Sequence, residues 1–225
     1  MASKPTIYLL RHAESAHNVS KDFNLRDPGL TELGFTQAAA IAHTFPAISS
    51  IGVILSSPLT RTIETTLAGF GTVLSDERSP NNPNKTAEGN AKLILDPDLQ
   101  ERSDLPCDTG SDVSFLEAKF PGLDYRQLGE GWYAKTGSYA ADDRAVAARA
   151  ERFRKKLLSL AKEVGANGSE KSIVVVTHGV FMKFLAEDEG IDLPKAGWKA
   201  YTVEEKGDGA VLKTLGGGSA HGREL

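Results

Sequence analysis

The stretch "IYLLRHAESAHN", residues 7–18, begins as an apolar strand and ends in a cluster of polar groups. Thr6–Leu10 offers β-branched and aromatic residues with no polar alternation, the composition of a strand buried on both faces of a sheet. Arg11 and His12 stand where that strand stops. Gathering charge beside a buried strand end costs stability unless something offsets the desolvation. What supplies that offset must come from the rest of the chain.

Outward from this strand, apolar runs and helical stripes alternate. A helix is expected within "GLTELGFTQAAAIAHTF", 29–45, with Thr31 as N-cap, an apolar stripe through Ala38, Ala39, Ile41, Ala42 and Phe45, and Pro46 as its stop. Ile51–Ser57 reads as a second buried strand, followed by Pro58 in a first helical turn and a helix in "LTRTIETTLAGF", 59–70. "AKLILDPDL", 91–99, supplies a third strand, and a short helix is expected near Val113–Lys119. Asp142–Val164 carries Val146, Phe153, Leu157, Leu160 and Val164 at helical spacings. Lys171–Gly179, "KSIVVVTHG", is the strongest strand, and the helix "VFMKFLAEDEG", 180–190, leaves it. "WKAYTVEE" and "AVLKTL" close the chain as a pair of strands. Strands alternating with helices predict an α/β protein: a three-layer α/β/α sandwich around a mainly parallel central sheet.

The 225 residues are expected to form one domain, 1–225, with no internal repeat and no linker that splits the chain. Within it, 75–90 has two prolines, four asparagines and almost nothing apolar, and reads as a surface loop insertion. Residues 103–140 are irregular and are expected to cover the substrate side; 215–225 is a glycine-rich, flexible tail. Lys and Arg number 26 against 30 Asp and Glu, a net charge of −4, which argues against a nucleic-acid binder. The single cysteine, Cys107, excludes an intramolecular disulfide and a zinc site of several thiolates. No run approaches the roughly 18 apolar residues of a membrane span, and the apolar N-terminal run is too short for a signal peptide. A cytoplasmic protein with no membrane partner is expected.

Four polar clusters follow the strands: Arg11, His12 and Asn18; Arg61; Glu101; and His178. In a parallel sheet, ligands bind outside the carboxyl ends of the strands, so all four would face one crevice. Two arginines, two histidines, an amide and a carboxylate suit a phosphate group. Arginine forks match phosphate oxygens, and Asn18 adds an uncharged donor. One histidine can attack phosphorus while its second nitrogen is fixed by a carbonyl; the other can stabilise charge on the equatorial oxygens. A carboxylic acid can protonate the leaving alkoxide and then deprotonate water. A bound anion would offset the cost of gathering positive charge.

These motifs resemble the histidine phosphatase superfamily, the phosphoglycerate-mutase-like proteins. The signature Arg-His-Gly-Glu with a following Asn stands here as "RHAESAHN", with Ala13 in place of glycine. "GLTELGFTQA", 29–38, "ILSSPLTRTIETT", 54–66, "LQER", 99–102, and "VVVTHGVFMKFL", 174–185, are similar to the segments that follow it, in the family's order. The resemblance implies His12 as the nucleophile that forms phosphohistidine. It implies Arg11, Arg61 and His178 as phosphoryl-binding residues assisted by Asn18, and Glu101 as proton donor. Asp98, Asp104 and Asp108 are close enough in sequence to compete with Glu101 for that role. No metal and no cofactor are implied, since arginines neutralise the charge that Mg²⁺ neutralises elsewhere.

The leading expectation is a metal-independent phosphatase acting on a small phosphomonoester and releasing inorganic phosphate. A mutase would share the pocket but needs further basic residues over it, and 103–140 offers only Lys119, Arg126 and Lys135. A non-catalytic phospholigand-binding protein of the same fold predicts loss of the nucleophile or the acid. Cysteine-phosphatase chemistry is set aside because the sixth residue after Cys107 is Val113, not arginine. There is no GxxxxGK loop and no HExxH helix.

Overall fold

A computed structural model describes residues 4–46, 48–75, 91–166 and 171–220, the last four of these in backbone only. Six strands form one sheet: β1 (Ile7–Arg11), β2 (Ile51–Ser56), β3 (Lys92–Leu95), β4 (Ser172–Thr177), β5 (Trp198–Lys206) and β6 (Gly209–Ala220). Their order is β3-β2-β4-β1-β5-β6. The first four are parallel, and β5 and β6 add an antiparallel hairpin at one edge. Among the described residues, six α-helices accompany them: α1 (Ala16–Ser20), α2 (Glu32–Thr44), α3 (Thr60–Phe70), α4 (Val113–Lys119), α5 (Asp143–Ala166) and α6 (Gly179–Ala186). This is the mainly parallel α/β sandwich that the alternating pattern predicts.

The layers follow from the two-residue period of the strands. Ile7, Leu9, Val53, Leu55, Ile173 and Val175 pack with Val146, Phe153 and Leu157 of α5 and with Phe181 and Leu185 of α6. The alternate residues Leu10, Ile54, Val174 and Val176 pack on the other face with Ala38 and Ile41 of α2 and Phe70 of α3. Every residue of β4 is buried, which explains its unbroken apolar run. A third cluster gathers Leu59, Ile63, Leu95, Leu116, Phe120 and Trp132. Most of 110–140 thus packs on itself and on α3.

Local signals explain the boundaries. The Thr31 hydroxyl accepts from the Gly34 N–H and caps α2, as the sequence predicts. Pro58 falls just outside α3, whose N-cap is Leu59, rather than within its first turn. The sequence reading does not anticipate α1, a single turn capped by Ser15 that carries Asn18. β6 continues to Ala220, into the segment read as a tail; residues 221–225 of that tail and 76–90 of the expected insertion lie outside the described residues. No helix among the described residues is long and apolar enough to cross a membrane.

Candidate active site

Register brings the two histidines together. In the β1–β4 ladder Arg11 lies opposite Thr177, so His12 and His178, one residue further on, emerge side by side. The His12 N–H donates to Thr177 O at 3.0 Å, and the ring centroids stand 5.1 Å apart. On the other side of β4, Ser56 pairs with Val176, which brings Ser57 to the same sheet end. The Ser57 hydroxyl lies 2.9 Å from His178 Nε2.

His12 is prepared as a nucleophile by geometry. Its Nδ1 lies 2.7 Å from Ala13 O, a contact that requires the proton on Nδ1 and leaves Nε2 unprotonated, its lone pair turned toward Arg61. Burial, and then the charge of Arg61, hold the imidazole well below its usual range. A neutral ring is the reactive form. His178 is lowered too, again by burial first and Arg61 second, and its Nδ1 is buried without a hydrogen-bond partner.

Arg61 enters from the first turn of α3 and is 1% exposed. Its Nε donates to His12 Nε2 at 3.3 Å, its Nη1 to Cys107 O at 2.6 Å and its Nη2 to Asp108 Oδ1 at 2.7 Å. Glu64, the helix neighbour that could have paired with it, instead accepts from Leu30 N–H and Lys119. Arg11 Nη1 donates to Asp192 Oδ1 and to Leu193 O, while its Nε is buried without a partner. A side chain on Gly179 would lie 3.1 Å from the Arg11 guanidinium, so this glycine lets the arginine pass.

Glu101 follows the short helical turn after β3. Its Oε1 accepts from the N–H groups of Phe181 and Arg102, both at 2.8 Å, and its Oε2 from Val180 N–H at 3.2 Å. The carboxylate thus sits on the N-terminus of α6. Arg149 of α5 holds this segment from behind. Fully buried, it donates to the carbonyls of Asp98, Gln100 and Glu101. Of the competing carboxylates, Asp98 is tied up by Arg152 and Lys156, and Asp104 lies outside the cleft. Asp108 does line it, between Arg61 and the Ser103 hydroxyl.

These groups border one cleft of about 450 Å³, walled by Arg11, His12, Asn18, Arg61, Glu101 and Asp108, among others. His178 is fully buried beside His12, its Nδ1 unpartnered, and is not among the residues that wall the cleft. Asn18 reaches the wall with its Oδ1 accepting from the Ser15 N–H and hydroxyl. The sequence reading missed Lys195 and Lys183, which also line the cleft, and Ser57 behind it. Burial, with help from Arg11, brings the Lys195 ammonium down to about 7. His17 is lowered to about 4, chiefly by burial.

Among the described residues, His17, Cys107 and Asp108 come nearest to a metal-ligand set, their ligand atoms within 4.8 Å of one another. They fit a cation poorly. Arg61 already occupies Asp108, and burial pushes the Cys107 thiol up to about 11, so it is protonated. The whole arrangement favours an anion.

Comparison with known proteins agrees in family and fold. The model of the histidine phosphatase superfamily, branch 1, matches residues 7–74. A protein of Schizosaccharomyces pombe named "Probable phosphatase" is 33% identical over 208 residues, 87% of this chain and 87% of its own. A "Phosphoglycerate mutase-like protein 1" of Arabidopsis thaliana is 29% identical, covering 79% of this chain and 69% of its own. Among solved structures, a mycobacterial glucosyl-3-phosphoglycerate phosphatase superposes with a TM-score of 0.60 at 19% identity, over 97% of this chain and 100% of that one. A phosphoserine phosphatase of Entamoeba histolytica gives 0.52 at 22% identity, over 93% and 95%.

Proposed function

The chain belongs to the histidine phosphatase superfamily, and from that membership we propose that it hydrolyses a small phosphomonoester through a phosphohistidine on His12. The observation that carries the reading is the His12 tautomer: Nδ1 on Ala13 O, Nε2 beside Arg61, the ring neutral at the base of a cationic cleft.

The Nε2 lone pair attacks phosphorus, and the ester P–O bond breaks. Glu101, as the carboxylic acid, gives its proton to the departing alkoxide; Oε2, its more weakly engaged oxygen, is the one to hold that proton. Arg11, Arg61 and His178 stabilise charge on the equatorial oxygens, with Asn18 as an uncharged donor. Water then attacks the phosphohistidine, the Glu101 carboxylate takes its proton, and the P–N bond breaks. Inorganic phosphate leaves and His12 is neutral again. Guanidinium groups supply the neutralisation that a metal ion supplies in other phosphoryl transfers.

Hydrolysis is favoured over mutase chemistry by the covering segment. Lys119 pairs with Glu64, Arg126 pairs with Asp124, and Lys135 donates to Glu101 O. None of the three is left over the cleft to hold a substrate carboxylate.

A rapid-quench experiment with p-nitrophenyl phosphate tests the reading. A burst and acid-labile phosphate on His12 are expected, and His12→Ala should lose both while staying folded. Turnover by that variant would place the nucleophile elsewhere.

A further inference from the structure

We propose that Lys195 binds an oxygen of the same phosphoryl group that His12 attacks, as a third cation of the phosphate site outside the four motif clusters. This inference rests on the hydrolase reading for its substrate and on the geometry of one turn for its location.

That turn is Pro194–Gly197, closed by the Gly197 N–H donating to Pro194 O at 2.9 Å. Ala196 takes φ 58, a left-handed conformation that an L side chain holds only when its surroundings enforce it. Those surroundings are the nucleophile's own backbone. The Ala196 N–H donates to His12 O at 3.4 Å, and Gly197 O accepts from the Arg11 N–H at 3.0 Å. Just upstream, Asp192 and Leu193 O accept from the Arg11 side chain. A side chain on Gly197 would meet Pro194 at 2.7 Å, so the turn closes only with glycine there. The segment is thus fastened to both ends of Arg11 and to His12, with Lys195 at its apex.

The charges in the cleft differ in their partners. Arg61 is paired with Asp108, and Arg11 with Asp192. Lys195 is half-buried, lines the cleft, and has no ion pair or hydrogen bond among the described residues. An unpaired ammonium in a partly desolvated cleft is a costly arrangement that a bound anion relieves. Its charge reaches the right atoms, since it contributes to the lowering of His12, His17 and His178. The lysine itself is held near 7 by burial and by Arg11 and Arg61, against the opposing carboxylates of Glu101 and Glu14. A phosphate dianion beside it favours the charged form. Binding therefore takes up a proton above neutral pH, and affinity weakens as pH rises.

The test measures inorganic phosphate binding by calorimetry, and KM for p-nitrophenyl phosphate, from pH 6 to pH 9. The proteins compared are wild type, Lys195→Ala, Lys195→Met and Lys195→Arg. Losing a charge-assisted contact should raise both constants about 10- to 100-fold at pH 6.5 in the Ala and Met variants. The Met variant keeps the packing of the stem should the Ala variant unfold. Lys195→Arg should bind within about threefold of wild type at pH 6.5 and lose the weakening above pH 7, because guanidinium does not titrate there. Phosphate affinity within twofold of wild type in both neutral variants overturns the proposal. So does an unchanged pH profile in Lys195→Arg. Failure of the hydrolase reading looks different: wild type would bind phosphate in a Lys195-dependent way yet show no turnover and no phosphate on His12.

Discussion

Replacing Glu101 by Gln separates two roles that one carboxylate combines. Structurally it closes the start of α6 by accepting from Phe181, Arg102 and Val180 N–H groups. Gln keeps one acceptor oxygen. If that oxygen stays with the two 2.8 Å donors, the amide NH₂ faces the Val180 N–H, and the 3.2 Å contact is lost. Losing a charge-assisted bond costs about 1.5–3 kcal/mol, and removing the negative charge from a helix N-terminus about 0.3–1 kcal/mol more. Summed to about 2–4 kcal/mol, this lowers Tm by roughly 4–16 °C for a chain of this size. The variant should therefore be folded at assay temperature.

Kinetically the loss should depend on the leaving group. General acid catalysis is worth about 10²- to 10⁴-fold for an alkoxide that must be protonated, and p-nitrophenolate needs little of it. Steady-state kcat/KM for an alkyl phosphate should fall by about that factor, and for p-nitrophenyl phosphate by less than about tenfold. Equal losses on both substrates would refute Glu101 as the acid. Asp108 would then be examined through Asp108→Asn, since it lines the cleft beside Arg61.

Other perturbations read the same construction. His12, His17 and His178 all titrate lower in the folded chain than in the unfolded one, so the unfolded state binds more protons below pH 6.5. Stability should be fully present above about pH 6.5 and fall on acidification, by up to about 4 kcal/mol per pH unit for three protons. A urea midpoint that stays flat from pH 6.5 to 5 would contradict the neutral, buried imidazoles. Gly34→Ala would put a methyl group 1.9 Å from Glu14 O, against backbone that cannot yield cheaply. A loss of about 1–3 kcal/mol or more is expected by chemical denaturation, with a fall in kcat as the 11–18 segment shifts; wild-type values for both would show that the α2 contact is dispensable.

The parts of this molecule legible in its sequence are those set by periodicity and by nearness to a strand end. Val174 and Val176 face one layer while Ile173 and Val175 face the other, and an apolar run such as "IVVV" allows little else. Because β1 and β4 pair in register, a histidine just past each strand comes to lie beside the other. The supporting residues carry no such period. Asp108 reaches Arg61 from a loop, Arg149 reaches the Glu101 carbonyl from a helix that looks merely amphipathic, and Lys195 depends on a turn pinned by main-chain bonds. The same difference explains why charge composition says little about the cleft in a chain of net charge −4. Arg11 and Arg61 are each committed to a carboxylate, whereas Lys195 is committed to none among the described residues. Sequence shows which charged residues follow the strands. Which of those charges remains available to an incoming phosphate is decided by pairing in three dimensions, and pairing between loops leaves no pattern along the chain.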